Sequence, residues 1–241
     1  TNAWANTFYA PGNDSSYNGL NSNFLHMSVY SRTNNDNTGI EIGTQNNSSS
    51  PWYLQLKNGG YTYYAPGKIP TTSYNPSGQL RYLNSTSTGF YYMHRYFSYS
   101  DNYTTSNFFK DGTYLHWGGT FEILSSGAPT QSVYIGALNN GVTASNFSNR
   151  EISFATVGDS LTDGEVSKLN VIIQTYQSSL GRQIGATYSS LNHKDLDIDM
   201  FINIAKLNQS QSNAIERLVS ALKIEGIWHR TMAVYPMIGG N

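Results

Sequence analysis

The feature that most constrains this chain is a succession of short, strand-sized segments over its first 160 residues. HMSVYSRT (His26–Thr33), IEIG (Ile40–Gly43), WYLQLK (Trp52–Lys57), TYYA (Thr62–Ala65) and QLRYLN (Gln79–Asn84) come first. FYYMHRYF (Phe90–Phe97), NFFKDGTYLHW (Asn107–Trp117), FEIL (Phe121–Leu124), SVYIGAL (Ser132–Leu138) and EISFATVG (Glu151–Gly158) follow. Asn, Ser, Thr and Gly fill the gaps, residues that turn a chain. In HMSVYSRT, Met27, Val29 and Ser31 fall on one side, Ser28 and Tyr30 on the other, which is the period of a strand. Lys110-Asp111-Gly112 predicts a hairpin turn, because glycine accepts positive φ and aspartate tolerates it. Short strands at this spacing predict a β-sandwich or jelly roll. The absence of a repeat of about 20–50 residues argues against a propeller or solenoid.

Composition places a boundary. Of 19 tyrosines, 16 precede residue 151, whereas charged residues number 13 in the first 150 positions and 16 in the last 91. The natural domain boundary is therefore read near residues 181–190. A net charge of -1 gives no electrostatic footprint for nucleic acid or an anionic membrane. With no cysteine there is neither a disulfide framework nor thiolate chemistry. No apolar run approaches the ~18 residues of a membrane span. The chain starts at Thr1 without a visible secretory signal, which predicts a processed or partial chain.

Helical patterning begins after Gly158. Thr162 and Glu165 have capping-box spacing, and Leu161 and Val166 have hydrophobic-staple spacing. Val166, Leu169, Ile173, Tyr176 and Leu180 form one stripe, and Gly181 stands at a C′ position. A helix over 163–180 is predicted. A short helix capped by Asp195 or Asp197 runs through Met200, Phe201 and Ile204. Another is capped by Asn208 with Gln211, carries Ala214, Ile215, Leu218, Val219 and Leu222, and ends at Gly226. TMAVYPMI (Thr231–Ile238) is predicted to be a strand, which Pro236 confines to an edge or bulge.

Within FATVGDSLTDGE (Phe154–Glu165), Gly-Asp-Ser-Leu is the signature of a serine esterase family. Such an enzyme needs a base for the serine and donors for the oxyanion. The family's late Asp-x-x-His block has no counterpart: Ser190 and Gly226 stand three residues before His193 and His229. Ser160 also follows two thirds of the chain, whereas the family's serine lies near the start of a parallel α/β domain. The expectation is that Ser160 is structural and the chain non-enzymatic, an esterase acting through Ser160 being the weakest of three readings.

SVYIGALNNGVTASNFSNREISFATVGDSLTDGEVSKLNVIIQTYQSSLGRQ resembles a module of tailed-bacteriophage virion proteins, including those of phages infecting Bacteroidetes-type hosts. That module is a concanavalin A-like, laminin-G-like (LamG) jelly roll. The front of the chain, TNAWANTFYAP through SVYSRTNNDNTGIEIG, is similar to its early strands. In the family the position of Ser160 is often glycine, which implies a structural turn. FINIAKLNQSQSNAIERLVSALKIEGIWHRTMAVYPMIGG is similar to a linker unit of the same proteins that usually precedes a jelly roll. The resemblance implies a mostly β chain: a jelly-roll domain over 1–182 closed by the 163–180 helix, then a helical linker and strand over 183–241 leading into a further module.

The function so implied is a structural virion protein: a fibre, decoration or adhesin on the virion surface, contacting other virion proteins, serving host attachment through surface glycans, and homo-oligomeric, with a trimer as the fibre precedent. The alternative is a secreted, extracellular carbohydrate-binding module of a cellular protein. Sugar binding calls for aromatic faces beside polar groups. The aromatic candidates are Trp52, Tyr61, Tyr63, Tyr64, Tyr91, Tyr92, Tyr96, Tyr99, Tyr103 and Trp117, of which Tyr91, Tyr99, Tyr103 and Trp117 are favoured as glycan contacts. Laminin-G-like domains often hold calcium, so Asp14, Asp36 and Asp101 are noted without assignment as ligands, and no other cofactor is expected. The histidines His26, His94, His116, His193 and His229 lack metal-binding spacing and are expected in strands or on the surface. The six carboxylates before residue 151 show no spacing of a glycosidase pair. Asn84-Ser85-Thr86 matches the glycosylation triplet, which this composition produces readily.

Overall fold

The computed structural model describes residues 3–13, 25–46, 50–66, 80–84, 86–98, 103–122, 129–141, 143–184, 198, 202 and 205–237. The strands are β1 Ala5–Asn6, β2 Leu25–Ser31, β3 Ile42–Asn46, β4 Ser50–Asn58, β5 Tyr61–Pro66, β6 Leu80–Leu83 and β7 Gly89–Ser98. Then come β8 Tyr103–Lys110, β9 Thr113–Glu122, β10 Tyr134–Ile135, β11 Leu138–Asn139, β12 Ala144–Ser145, β13 Ile152–Asp159 and, after two helices, β14 Thr231–Tyr235. Among the described residues, the long helices are α1 Asp163–Ser179 and α2 Gln209–Ile224.

These strands form two sheets. The first runs β1-β10-β3-β4-β5-β6, with β11 and β12 attached beside β3; the second runs β14-β13-β2-β7-β8-β9. Alternation along each strand sorts side chains between two cores. Leu25, Met27 and Val29 of β2, Tyr91 and Met93 of β7, and Ala155 and Val157 of β13 face the first sheet, meeting Ile42, Trp52, Leu54 and Tyr64. The opposite face of the second sheet, with Tyr30, Phe90, Tyr92, Phe109 and Phe154, packs on Val166, Leu169, Ile173 and Tyr176 of α1 and on Ile215, Leu218 and Leu222 of α2. Each fully buried Val, Leu, Ile, Phe or Met among them contributes about 1.5–3 kcal/mol. The result is a mostly β, two-sheet sandwich with a small helical segment and a terminal strand.

Both helix starts follow the sequence pattern. Thr162 and Glu165 close one capping box, Asn208 and Gln211 the other. Gly181 and Gly226 end the helices at φ +65° and +70°. The short helix expected near 195–204 lies largely outside the described residues.

Three elements differ from expectation. FEIL does not start a strand of its own; β9 runs on to Glu122. SVYIGAL breaks into β10 and β11 because Gly136 turns at φ +80°, where a Cβ would meet the Ala3 carbonyl oxygen at 2.9 Å. The strand at 231–235, assigned from sequence to a separate linker, pairs antiparallel with β13 and so extends the second sheet. Asp111 and Gly112 turn the β8–β9 hairpin at φ +50° and +76°, as their sequence predicts. The Asp111 carboxylate also accepts the Phe90 amide at 2.8 Å.

Candidate functional site

The helices cover the outer face of the second sheet over β13, β2, β7 and β8, while Tyr114 of β9 stays 44% exposed on that face; the first sheet offers a second open surface. Ile42, Leu54, Tyr64, Leu80 and Tyr82 point inward. Their strand neighbours Gly43, Tyr53, Gln55, Tyr61, Tyr63, Arg81 and Leu83 therefore point outward. Much of that outer face is itself covered. Tyr53 and Ala65 lie beneath Ile40 and Leu138, and the segment running from β11 to β13 is fastened across the sheet by Arg150. Arg150 and Glu41 form an ion pair with both side chains at 0% exposure. The same Glu41 carboxylate accepts the Ser148 hydroxyl at 2.7 Å and the Leu56 amide at 2.5 Å. Arg150 also donates to the carbonyls of Asn35 and Lys57. Burial is the largest influence on the Glu41 carboxyl and raises it, with Arg150, the Leu56 amide and Ser148 opposing.

Among the described residues, what stays open is the strip along β5 and β6. Register places Tyr61 opposite Leu83 and Tyr63 opposite Arg81, with Gln55 on the far side of Tyr63. The Tyr61 and Tyr63 rings are half-buried, with centroids 6.4 Å apart and planes inclined at 59°. The Arg81 guanidinium carbon lies 5.0 Å from the Tyr61 centroid. Arg81 is exposed, and Leu83 is 69% exposed beside it. Among the described residues, the Tyr61 and Tyr63 hydroxyls and the Arg81 guanidinium have no hydrogen-bonding partner. The strip thus combines ring faces, hydroxyls and a fixed cation, which suits a polar ligand with apolar C–H faces. Another aromatic pair lies at the opposite end of this sheet, where the exposed Trp4 stacks on half-buried Tyr134 at 4.3 Å.

The residues favoured from sequence fall differently. Tyr91 is a core residue at 0% exposure; its hydroxyl donates to the Thr86 carbonyl at 2.6 Å and accepts from Asn84. Its ring cannot serve as a sugar contact in this fold, because strand alternation turns it between the sheets. Tyr99 lies outside the described residues. Tyr103 begins β8 and Trp117 lies in β9, on adjacent strands of the second sheet. Trp52, Tyr64 and Tyr92, in the wider aromatic set, are also buried. Arg81 escaped sequence reasoning altogether; its signal was the shared parity of Tyr61 and Tyr63, facing an exposed parity in QLRYLN.

The Gly-Asp-Ser-Leu motif closes β13 and leads into α1. Ser160 is 9% exposed, and its carbonyl accepts from Arg230 at 2.8 Å. The nearby His26 uses Nδ1 on the Asp159 carbonyl and Nε2 on the Thr156 hydroxyl at 3.0 Å. Its imidazole is therefore engaged with strand groups, in an antiparallel sheet. His26 and His94, cross-strand neighbours, are buried rather than superficial. Burial lowers both to about 4. Tyr92 lies between them in this network: its ring stacks on His26 at 5.1 Å, and its hydroxyl accepts the Leu161 amide at 2.8 Å and meets His94 Nδ1 at 3.3 Å. His229 is exposed.

Asp36, one of the noted calcium candidates, accepts the Gly59 and Gly60 amides at 2.8 and 3.2 Å and so braces the β4–β5 turn. Asp14 and Asp101 lie outside the described residues. Among the described residues no cluster of His, Asp and Glu is grouped to hold a metal ion. Asn84 is buried, donating to the Thr62 hydroxyl at 2.8 Å, so its side chain is committed inside the fold.

No family model and no curated protein matches the sequence. Among solved structures, the chain is similar to the CBM40 module of Ruminococcus gnavus IT-sialidase, with 14% identity and a TM-score of 0.42, covering 70% of this chain and 98% of that one. The same module bound to α2,3-sialyllactose gives 16% identity and a TM-score of 0.41, covering 67% of this chain and 91% of that one. Leech intramolecular trans-sialidase gives 15% identity and a TM-score of 0.41, covering 79% of this chain and 28% of that one.

Proposed function

We propose that this chain is a non-enzymatic carbohydrate-binding module whose ligand lies across β5 and β6 on the outer face of the first sheet. The observation that carries the reading is the strip itself: Tyr61 and Tyr63 on one face, with free hydroxyls among the described residues, beside the exposed Arg81. A saccharide offers C–H faces to rings and hydroxyls to polar groups, so this mixture fits its chemistry. Glycan-array binding by the whole chain tests it. Tyr63→Ala is expected to weaken binding about tenfold, the loss of one hot-spot contact. Unchanged binding in that variant would move the site elsewhere, with Tyr99, Tyr103 and Trp117 next to be replaced.

The resemblance of the 132–183 segment to phage modules favours a second reading, which concerns where the module works. On a virion surface the same binding would serve attachment to a host, with other virion proteins as neighbours and a trimer as the assembly. In a cellular protein it would act outside the cell as a secreted module. Detection of the chain in purified particles supports the first setting, and its recovery only from culture fluid of uninfected cells supports the second.

A further inference from the structure

Resting on the glycan-binding reading, we infer that the strip selects sugars carrying an anionic group, a carboxylate or a sulfate, and that Arg81 is the residue that reads it. Three observations carry this. Arg81 projects from β6 onto the open face, and among the described residues no carboxylate pairs with it. Its guanidinium is held at 5.0 Å over Tyr61, which fixes a side chain that would otherwise sample many rotamers. Tyr63 stands directly opposite Arg81 in the β5–β6 register, placing an aromatic ring beside the cation.

Among the described residues, the neighbouring charged groups have partners of their own. Asp36 is committed to the amides of the β4–β5 turn, and Lys57 donates to the Asn34 side chain at 3.2 Å. Glu41 is buried against Arg150 beneath the covering segment. A planar guanidinium with unused N–H groups matches two oxygens of a carboxylate or sulfate at once. Tyr63 would then stack on the sugar ring, and Tyr61 would act as a positioning residue for Arg81. A purely neutral sugar would leave the Arg81 fork unmatched.

The test is an array carrying neutral, carboxylated and sulfated forms of the same oligosaccharides, probed with the wild-type chain and with Arg81→Gln, Arg81→Lys and Tyr63→Ala. Arg81 is exposed and Tyr63 half-buried on the open face, and circular dichroism checks that each variant keeps the fold. The wild type is expected to favour anionic forms over their neutral counterparts by about tenfold, the scale of one charge-assisted contact. Arg81→Gln should abolish that preference while retaining weak binding, Arg81→Lys should recover it only in part, and Tyr63→Ala should weaken all forms. Preference for carboxylated forms alone, or sulfated forms alone, identifies the source of the charge. Equal binding of neutral and anionic forms, or a preference that survives Arg81→Gln, overturns the inference and leaves the glycan reading standing. No binding to any glycan overturns both.

Discussion

Arg150 and Glu41 meet at 2.5 Å with neither side chain exposed, and this buried pair determines how much of the first sheet is open. It fastens the segment between β11 and β13 across β3 and β4, and among the described residues the strip along β5 and β6 stays bare. Removing one member of such a pair strands a charge in the interior. Arg150→Ala is expected to destabilise the fold by about 3–5 kcal/mol. A urea titration followed by tryptophan fluorescence checks this. Arg150→Lys should recover only part of the loss, because Arg150 uses Nη1 on Glu41 and Nη2 on two carbonyls.

Stability should depend on pH through His26 and His94. Each falls from 6.5 to about 4 in the folded chain, chiefly through burial, and so binds protons more weakly than when unfolded. The contribution is fully present above pH 6.5 and is lost as pH falls from there toward about 4. The expected loss is on the order of 3 kcal/mol per histidine across that window. Chemical denaturation at intervals between pH 4 and 7 measures the slope, and His26→Asn should flatten it by roughly half.

Two glycines make opposite predictions. A Cβ on Gly43 would sit 2.4 Å from Cβ of Tyr53 on the neighbouring strand, so Gly43→Ala should cost about 1–3 kcal/mol. A Cβ on Gly164, in the first turn of α1, meets nothing within 4 Å. Gly164→Ala should therefore raise stability by up to ~1 kcal/mol. Thermal unfolding of the two variants compares them directly.

Ser160 provides a check on catalysis. With His26 engaged by Asp159 and Thr156, Ser160→Ala is expected to leave the chain's background rate on an activated ester unchanged. Hydrolysis by the wild type that disappears in the variant would show that the serine is a nucleophile.

Most of the framework was legible because its signals are local. Thr162 with Glu165, Asn208 with Gln211, and the Asp111-Gly112 turn each act within four residues, and each appears as its sequence predicts. The partner of β14 was not legible, since pairing across more than 70 residues leaves no local mark. The open face was hidden for a related reason. Alternation puts Tyr61 and Tyr91 each on one side of a strand, but only the assembled sheets show that one side is open and the other filled. Arg81 joins Tyr61 through β5–β6 register, a relation that no spacing along the chain encodes.

A heteronuclear NMR titration of the labelled chain, with an oligosaccharide that binds on the array, tests whether the ligand lies across β5 and β6. Bound ligand is expected to shift the amides of Gln55, Tyr61, Tyr63, Arg81 and Leu83, and to leave those around the Trp4–Tyr134 pair and along β8 and β9 in place. Shifts confined to β8 and β9, or to the Trp4 end of the first sheet, would contradict it.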